Sequence, residues 1–255
     1  MQVLLTWLWY LDFGANLALL ASLARNGLYR VYRFFFAYLA ADVLESFGGF
    51  LFQKSYRIYG EIYFAGQSIK MLLAVFVVLE IYRIALAGRP ALARFGRDTV
   101  SYVLIAAAVI AVCGMMIDNS VPPGRSPVLH RFNSFERTMD LWMLVFLLLI
   151  GIFMSWFPVR LTRNGVLYIS GFVLYFLARS LGLLLTNADP ALVHVLDAAM
   201  LGVAIVCLVI WTVALRQAGE EVTVVTGHRW DPASVERLTG QLDAINARLI
   251  RFSRR

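Results

Sequence analysis

Long apolar runs follow one another along the chain, separated by short polar segments. Each run has about the 20 residues that an α-helix needs to cross the hydrocarbon core of a bilayer. A transmembrane β-barrel would give segments of about ten residues with alternating polarity, so continuous runs such as residues 141–157 favour helices. We predict seven spans, at about residues 3–24, 33–53, 62–86, 99–117, 134–157, 165–185 and 192–215.

The spans divide the chain into three parts. Residues 1–216 are predicted to form an all-α, seven-transmembrane-helix bundle, and the mixed polar residues 217–230 are predicted to be a linker. Residues 231–255 are predicted to form a short cytoplasmic helix, amphipathic or coiled-coil, which begins after Asp231 as the N-cap. Because the loops between spans are short, no segment remains for a large catalytic domain outside the membrane.

The composition agrees with this pattern. Hydrophobic residues make up 60% of the chain and charged residues 15%, whereas an ordinary soluble domain is about 45–50% apolar and about 25% charged. The excess excludes a water-soluble fold and predicts contact with a lipid bilayer. The net charge of +7 lies mainly in the loops and the tail. We therefore assign it to membrane topology and expect no nucleic-acid partner.

The loop cations predict the orientation, because cytoplasmic loops retain Lys and Arg. Loops after the first, third and fifth spans carry nine cations, namely Arg25, Arg30, Arg33, Arg83, Arg89, Arg94, Arg97, Arg160 and Arg163. Loops after the second and fourth spans carry four, namely Lys54, Arg57, Arg125 and Arg131, and the sixth loop carries none. This asymmetry predicts an N-terminus outside and a C-terminus inside, in a bacterial cytoplasmic membrane.

Ionisable side chains lie deep inside the predicted spans, where each costs about 2.5–3.5 kcal/mol at the helix centre. Helical spacing gathers them into stripes: Tyr38, Asp42 and Glu45 follow i, i+4, i+7 and so share one face. Such stripes are expected to face the bundle interior. The candidate ligand-binding or ion-pathway residues are Asp12, Asp42, Glu45, Lys70, Asp140, Arg179 and Asp197.

Two interpretations of these charges remain open. In one, they form a structural ion-pair network, with Lys70 bound to Asp42 or Glu45, and with Arg179 bound to Asp140 or Asp197. In the other, they line an outward-facing polar pocket. Five acids against two bases favour the pocket, because a purely structural network should be closer to neutral.

The tail carries a heptad pattern. Its apolar residues recur at spacings of 3, 4, 3, 4 and 3, at Val235, Leu238, Leu242, Ile245, Leu249 and Phe252. That repeat predicts a coiled coil that joins subunits into a homo-oligomer. Two alternatives are an amphipathic helix on the inner leaflet or on the protein's own body, and a helix that binds a partner protein.

Motifs for catalysis, metal binding or cofactors were not found. The last span has no Lys, which a retinal Schiff base would need, and His130, His194 and His228 lack metal-ligand spacing. Cys113 and Cys207 form neither a disulfide framework nor a metal motif. We nominate no catalytic residue, no metal and no cofactor, and an enzyme is the less favoured class.

These patterns predict a receptor-like or sensor-like membrane protein. Its outward polar pocket would bind a small, cationic ligand, and its cytoplasmic helix would oligomerise or pass the signal to a cytoplasmic signalling partner. An ion- or proton-coupled transporter or channel is one alternative. A structural membrane subunit, whose charges only hold helices together, is the other.

Overall fold

The computed structural model describes residues 2–52, 55–86, 127–156, 159–188 and 193–226, with isolated positions between 102 and 109 and between 236 and 248. The long helices are α1 (Gln2–Arg25), α2 (Arg33–Leu51), α3 (Tyr56–Ala85), α4 (Pro127–Trp156), α5 (Arg163–Ala188) and α6 (Val193–Ala214). The short elements are a 3₁₀ helix (Leu28–Arg30), helix α7 (Ala218–Glu221), and strands β1 (Val159–Thr162) and β2 (Thr223–Thr226).

Five of the described helices are long and apolar enough to cross a membrane. These stretches are Val3–Arg25, Arg33–Leu51, Ile58–Ala85, Arg163–Gly182 and His194–Ala214. Large apolar side chains such as Trp7, Leu44 and Leu72 are exposed on them, as expected where lipid is the solvent. The predicted all-helical class is therefore confirmed, and five of its helices are candidate membrane spans.

Two of the seven predicted spans are not among these five helices. The stretch of α4 that is both apolar and described, Thr138–Met154, is shorter than the other five. The predicted fourth span, residues 99–117, lies largely outside the described residues. The same holds for the predicted tail helix, of whose heptad positions only Ile245 is described, as an exposed helical residue. The seven-span bundle and the coiled coil remain predictions.

Helix α1 ends in a glycine turn. Asn26 donates from Nδ2 to Ser22 Oγ at 3.3 Å, and Gly27 follows with a φ of 69°. A left-handed residue after the last helical turn is the usual position for Gly, which has no Cβ to clash there. The turn leads directly into the 3₁₀ helix and α2, and it keeps the α1–α2 connection short.

A two-stranded antiparallel ribbon joins two distant parts of the chain. Strand β1 pairs with β2, so that Val159 faces Thr226 and Thr162 faces Thr223. Thr162 also caps α5, because its Oγ1 accepts a hydrogen bond from the Gly165 amide at 3.0 Å. Part of the predicted linker 217–230 is therefore an ordered strand, which the β-branched Val-Thr-Val-Val-Thr sequence favours.

The described chain divides into two compact units. The first unit comprises residues 1–77 and 174–218, and the second comprises residues 78–173 and 219–255. In the first unit α1 packs against α6 and α2, and the ring centroids of Phe35 and Trp211 lie 5.0 Å apart. The fully buried core residues of the second unit include Ile81, Met143, Leu147 and Tyr168.

The loop between α6 and β2 is held by Asn164, which is fully buried at the start of α5. Its Nδ2 donates to Glu220 Oε1 at 2.8 Å, and Gly219 lies directly against the same side chain. A Cβ at Gly219 would lie only 2.7 Å from Asn164 Cγ. Gly219 is thus the residue that lets α7 approach α5.

We expect Gly219→Ala to lower the thermal stability of the purified protein, with a cost of about 1–3 kcal/mol, because the added methyl overpacks a filled site. Thermal unfolding in detergent measures this. Gly240→Ala is the matched control, because a Cβ at Gly240 meets nothing within 4 Å. Equal melting temperatures for the two variants would contradict the role assigned to the Asn164 contact.

Candidate functional site

The centre of the site is an ion triad between α2 and α3, in the first unit. Lys70 Nζ lies 2.8 Å from Asp42 Oδ1 and 3.0 Å from Glu45 Oε2. All three side chains are largely buried: Lys70 is 13% exposed, Asp42 20% and Glu45 11%. The i, i+3 spacing of Asp42 and Glu45 places both carboxylates on one face of α2, so one ammonium group can bridge them.

Helix α3 approaches α2 closely enough for this contact because it presents small residues there. Gly66 lies directly against the carboxyl group of Glu45, and a Cβ at Gly66 would come within 2.6 Å of Glu45 Cγ. One residue further on, Gln67 donates from Nε2 to Glu45 Oε1 at 3.4 Å. A Cβ at Gly48 of α2 would likewise lie 3.1 Å from Ile62. Small residues commonly permit such close helix packing in membranes.

A third carboxylate comes from α1. Asp12 is partly buried and interacts electrostatically with both Asp42 and Lys70. Asn16, one turn further along α1 and buried, donates from Nδ2 to Asp12 Oδ2 and to the Asp12 carbonyl, each at 3.1 Å. That bond orients the Asp12 carboxylate.

Tyrosine side chains extend the network to α5. The hydroxyls of Tyr38 and Tyr175 are 3.3 Å apart, and Arg179 donates from Nη1 to the Tyr175 hydroxyl at 3.4 Å. Tyr38 lies one turn before Asp42 on α2. These residues are grouped with the ion triad and Asp12 as the polar network of the first unit. Its members, called the acidic network below, are Asp12, Asp42, Glu45, Lys70, Tyr38, Tyr175 and Arg179.

The acidic network contains three carboxylates, those of Asp12, Asp42 and Glu45, and two cations, those of Lys70 and Arg179. In fully ionised form its formal charge is −1. A negative site in an apolar environment attracts a cation, and the environment strengthens that attraction because its dielectric constant is lower than that of water. Chemically, the arrangement can accept a proton or hold a small cation.

Lys70 contacts both Asp42 and Glu45, which is the pairing that the ion-pair-network interpretation predicts for it. Asp197 lies partly buried near the start of α6, and none of the network contacts described above involves it. Asp140 is buried on α4, in the second unit. Arg179 donates to the Tyr175 hydroxyl, and its pairing with Asp140 or Asp197 stays a prediction.

Several residues of the network, or in contact with it, were not singled out from the sequence as site residues. Tyr38 and Tyr175 fall on the polar stripes of α2 and α5, and their spacing of four residues from Asp42 and Arg179 was the available signal. Asn16 follows Asp12 by the same interval. Gly66 gave no signal, because a glycine in a membrane helix does not reveal which side chain it will contact.

The second unit has a smaller buried polar contact near the end of α3. The Glu80 side chain is 1% exposed, and Tyr168 donates to its Oε2 at 3.2 Å. Arg83 Nη2 lies 3.8 Å from Glu80 Oε1 and is itself mostly exposed. The sequence pattern had assigned Arg83 to an inner loop, and Tyr168 was not anticipated as a partner of Glu80.

Metal binding receives no support from the part of the chain that the structure describes, which holds no group of three or more His, Cys, Asp or Glu suited to an ion. No family model matches the chain, and no curated protein or solved structure matches it either. The functional argument therefore depends on the geometry of the acidic network.

Proposed function

We propose that this protein is a receptor-like component of the bacterial cytoplasmic membrane, and that its acidic network binds a small cation from the outer side. The observation that carries the proposal is the excess of carboxyl groups over cations in the network, within apolar helices. Lys70 neutralises only part of the charge of Asp42 and Glu45, and Asp12 adds a third carboxylate beside them. Charges inside a membrane are costly, so they occur mainly where they pair with one another or serve a function.

The topology of the second unit supports the seven-span arrangement. Tyr168, near the start of α5, bonds to Glu80 near the end of α3, so both helix ends lie on one side of the membrane. The chain between them must then cross an even number of times. If α4 crosses once, one more crossing is needed between α3 and α4, and residues 99–117 are the apolar run available.

The orientation of the chain in the membrane can be argued from the side on which the end of α3 and the start of α5 lie. Strand β1 directly precedes α5, so its partner strand β2 lies on the same side as the start of α5. The cation-rich loops belong to this side, and Arg is retained in the cytoplasm. We therefore propose that the C-terminus is cytoplasmic and that the N-terminus faces outward.

A route for signal transfer follows from the helices that carry the network. Helix α3 carries Lys70 and, ten residues further on, Glu80; helix α5 carries Tyr175 and, seven residues earlier, Tyr168. A change in the network can therefore act on the inner ends of α3 and α5. We propose that residues 231–255 transmit this change, either within a homo-oligomer formed by the heptad residues or to a cytoplasmic signalling protein.

An ion- or proton-coupled transporter is the second candidate. The observation that favours it is the electrostatic interaction of Asp12 with Asp42 beside Lys70, because neighbouring carboxylates within a membrane are typical of proton relays. Proteoliposomes loaded with a pH-sensitive dye separate the two candidates. A proton flux that disappears in Asp12→Asn would replace the receptor proposal with the transporter.

For the receptor, we expect tetramethylammonium to raise the melting temperature of the purified wild-type protein at constant ionic strength. Ligands that bind only the native state stabilise it by an amount that grows with the logarithm of the ligand concentration once that concentration exceeds Kd. We expect Asp12→Asn to abolish this dependence, because it removes the excess carboxylate and leaves Lys70 paired with Asp42 and Glu45. The measurement is thermal unfolding in detergent at increasing concentrations of tetramethylammonium.

Glu61→Gln is the matched control, since it removes one exposed carboxylate from α3 and should leave the cation dependence unchanged. If no cation stabilises the wild type and Asp12→Asn melts at a higher temperature, the network is a structural device and the proposal fails. An imperfectly compensated buried charge is expected to reduce stability in that case.

A further inference from the structure

Strand β2 has an outer edge that faces away from β1. In the described part of the chain the ribbon consists of β1 and β2, and both strands belong to the second unit. Residues 222–224 are exposed, whereas Leu161 of β1 is buried and β1 leads directly into α5. A further strand can therefore reach the ribbon along β2.

The hydrogen-bond pattern of the ribbon identifies the backbone groups on that outer edge. The Arg163 amide donates to the Val222 carbonyl at 2.9 Å, and these two residues continue the register of the ladder. In an antiparallel ladder, hydrogen-bonded pairs alternate with pairs that are not hydrogen-bonded. Val224 therefore bonds to β1, whereas the N–H and C=O groups of Thr223 and Val225 point to the outer edge.

These outward groups are complementary to those of a second copy of β2. When two copies pair antiparallel with Val224 opposite Val224, Thr223 of each copy faces Val225 of the other. Both of these pairs are of the hydrogen-bonded type, so every outward group of the two strands has a partner. A pair centred on Thr223 or on Val225 would contain only one hydrogen-bonded pair within the strands.

The sequence of β2 also favours self-association. Residues 222–226 are all β-branched and include neither a charge nor a proline, which are the features that commonly protect an exposed edge. In the register centred on Val224, Glu220 and Glu221 of the two copies lie at opposite ends of the pair, so like charges do not face each other. Additional strands stabilise a two-stranded ribbon, which is only marginally stable by itself.

The sequence beyond β2 favours a second copy of this chain as the occupant of the edge. Residues 231–255 carry the heptad pattern of helices that pair with their own kind. Residues 227–230, which join β2 to this pattern, span about 13 Å when extended. In the register centred on Val224, the two Thr226 residues are four positions apart along the strands, also about 13 Å. The linkers are therefore long enough for the two heptad segments to meet.

We infer that two copies of this chain join along β2, in an antiparallel sheet of order β1–β2–β2–β1 with a twofold axis at Val224. A contact of this symmetry uses the same residues of both copies. It lies in the second unit and does not depend on cation binding by the acidic network.

Disulfide cross-linking tests this register, in isolated membranes from cells that express the full chain with two different tags. The Cα atoms of a non-hydrogen-bonded pair are about 4.5 Å apart, within the range of about 4.4–6.8 Å that a disulfide needs. After mild oxidation, we expect Val224→Cys to convert most of the protein into a reducible dimer in which both tags occur together.

Val222→Cys is the matched control, because Val222 is exposed just before the same strand but lies four positions from its own copy, about 13 Å away. It should remain monomeric, as should the wild type with its native Cys113 and Cys207. Equal cross-linking of the two variants, or none in Val224→Cys, would overturn the proposal. A product with the mass of this chain joined to another protein would do the same, and would assign the edge to that protein.

Adding Thr223→Pro to Val224→Cys tests the hydrogen bonds of the edge. Proline removes an outward N–H, leaves the Val224 N–H free to bond to β1, and is tolerated as the first residue of a strand. We expect the cross-linked dimer to be lost while the melting temperature of the reduced protein stays that of Val224→Cys. A dimer that survives the proline would show that the two strands do not pair through this edge.

Discussion

Replacing Lys70 with Met should destabilise the protein more than any other single change in the acidic network, by about 3–5 kcal/mol. Lys70 is the only cation in direct contact with Asp42 and Glu45, at 2.8 and 3.0 Å, among the contacts that the structure describes. Its removal leaves two largely buried carboxylates without their shared ammonium group. The free energy of unfolding, measured by SDS titration in mixed micelles, should fall accordingly.

The triple variant Asp42→Asn, Glu45→Gln, Lys70→Met tests the cause of this loss. If uncompensated charge is responsible, the neutral triple variant should recover most of the stability that Lys70→Met loses, since replacing a complete buried ion pair is often close to neutral. Arg25→Gln removes an exposed cation at the end of α1 and should cost less than about 1 kcal/mol. A Lys70→Met protein as stable as the wild type would show that the carboxylates do not depend on the ammonium group.

The pairing of Lys70 could be predicted from sequence because two simple rules agree on it. Helical periodicity places Asp42 and Glu45 on one face of α2, and the cost of an intramembrane charge requires a partner for Lys70. Lys70 has few possible acidic partners inside the membrane, so few pairings are possible for it. The apolar runs were predictable for a similar reason, since bilayer thickness fixes the length of a spanning helix.

The tyrosine contacts and the β1–β2 ribbon were less accessible to sequence reasoning. Tyr175 can donate or accept a hydrogen bond and can also lie at a membrane interface, so periodicity does not select Arg179 or Tyr38 as its partner. Strand β2 depends on pairing with β1, which is more than 60 residues earlier. A short β-branched segment does not identify a partner at that separation, because β-propensity depends strongly on context.

The role of Gly66 could not be predicted from the sequence, because it depends wholly on the contact with Glu45. A substitution can measure that role. We expect Gly66→Ala to destabilise the protein by about 1–3 kcal/mol, because its methyl group overpacks the space that the Glu45 carboxyl fills. It should also weaken the response to tetramethylammonium, since Glu45 must move away from Lys70. SDS titration and the cation-dependent melting temperature measure the two effects.

Gly60→Ala provides the comparison on the same helix, because a Cβ there meets nothing within 4 Å. Alanine favours a helix over glycine by about 1 kcal/mol, so Gly60→Ala should be neutral or stabilising. The double variant Gly66→Ala, Glu45→Ala removes the collision and should be less destabilised than the sum of its single changes, a non-additivity that residues in contact produce. Additive losses would mean that Gly66 does not make room for Glu45, and that the close approach of α2 and α3 has another cause.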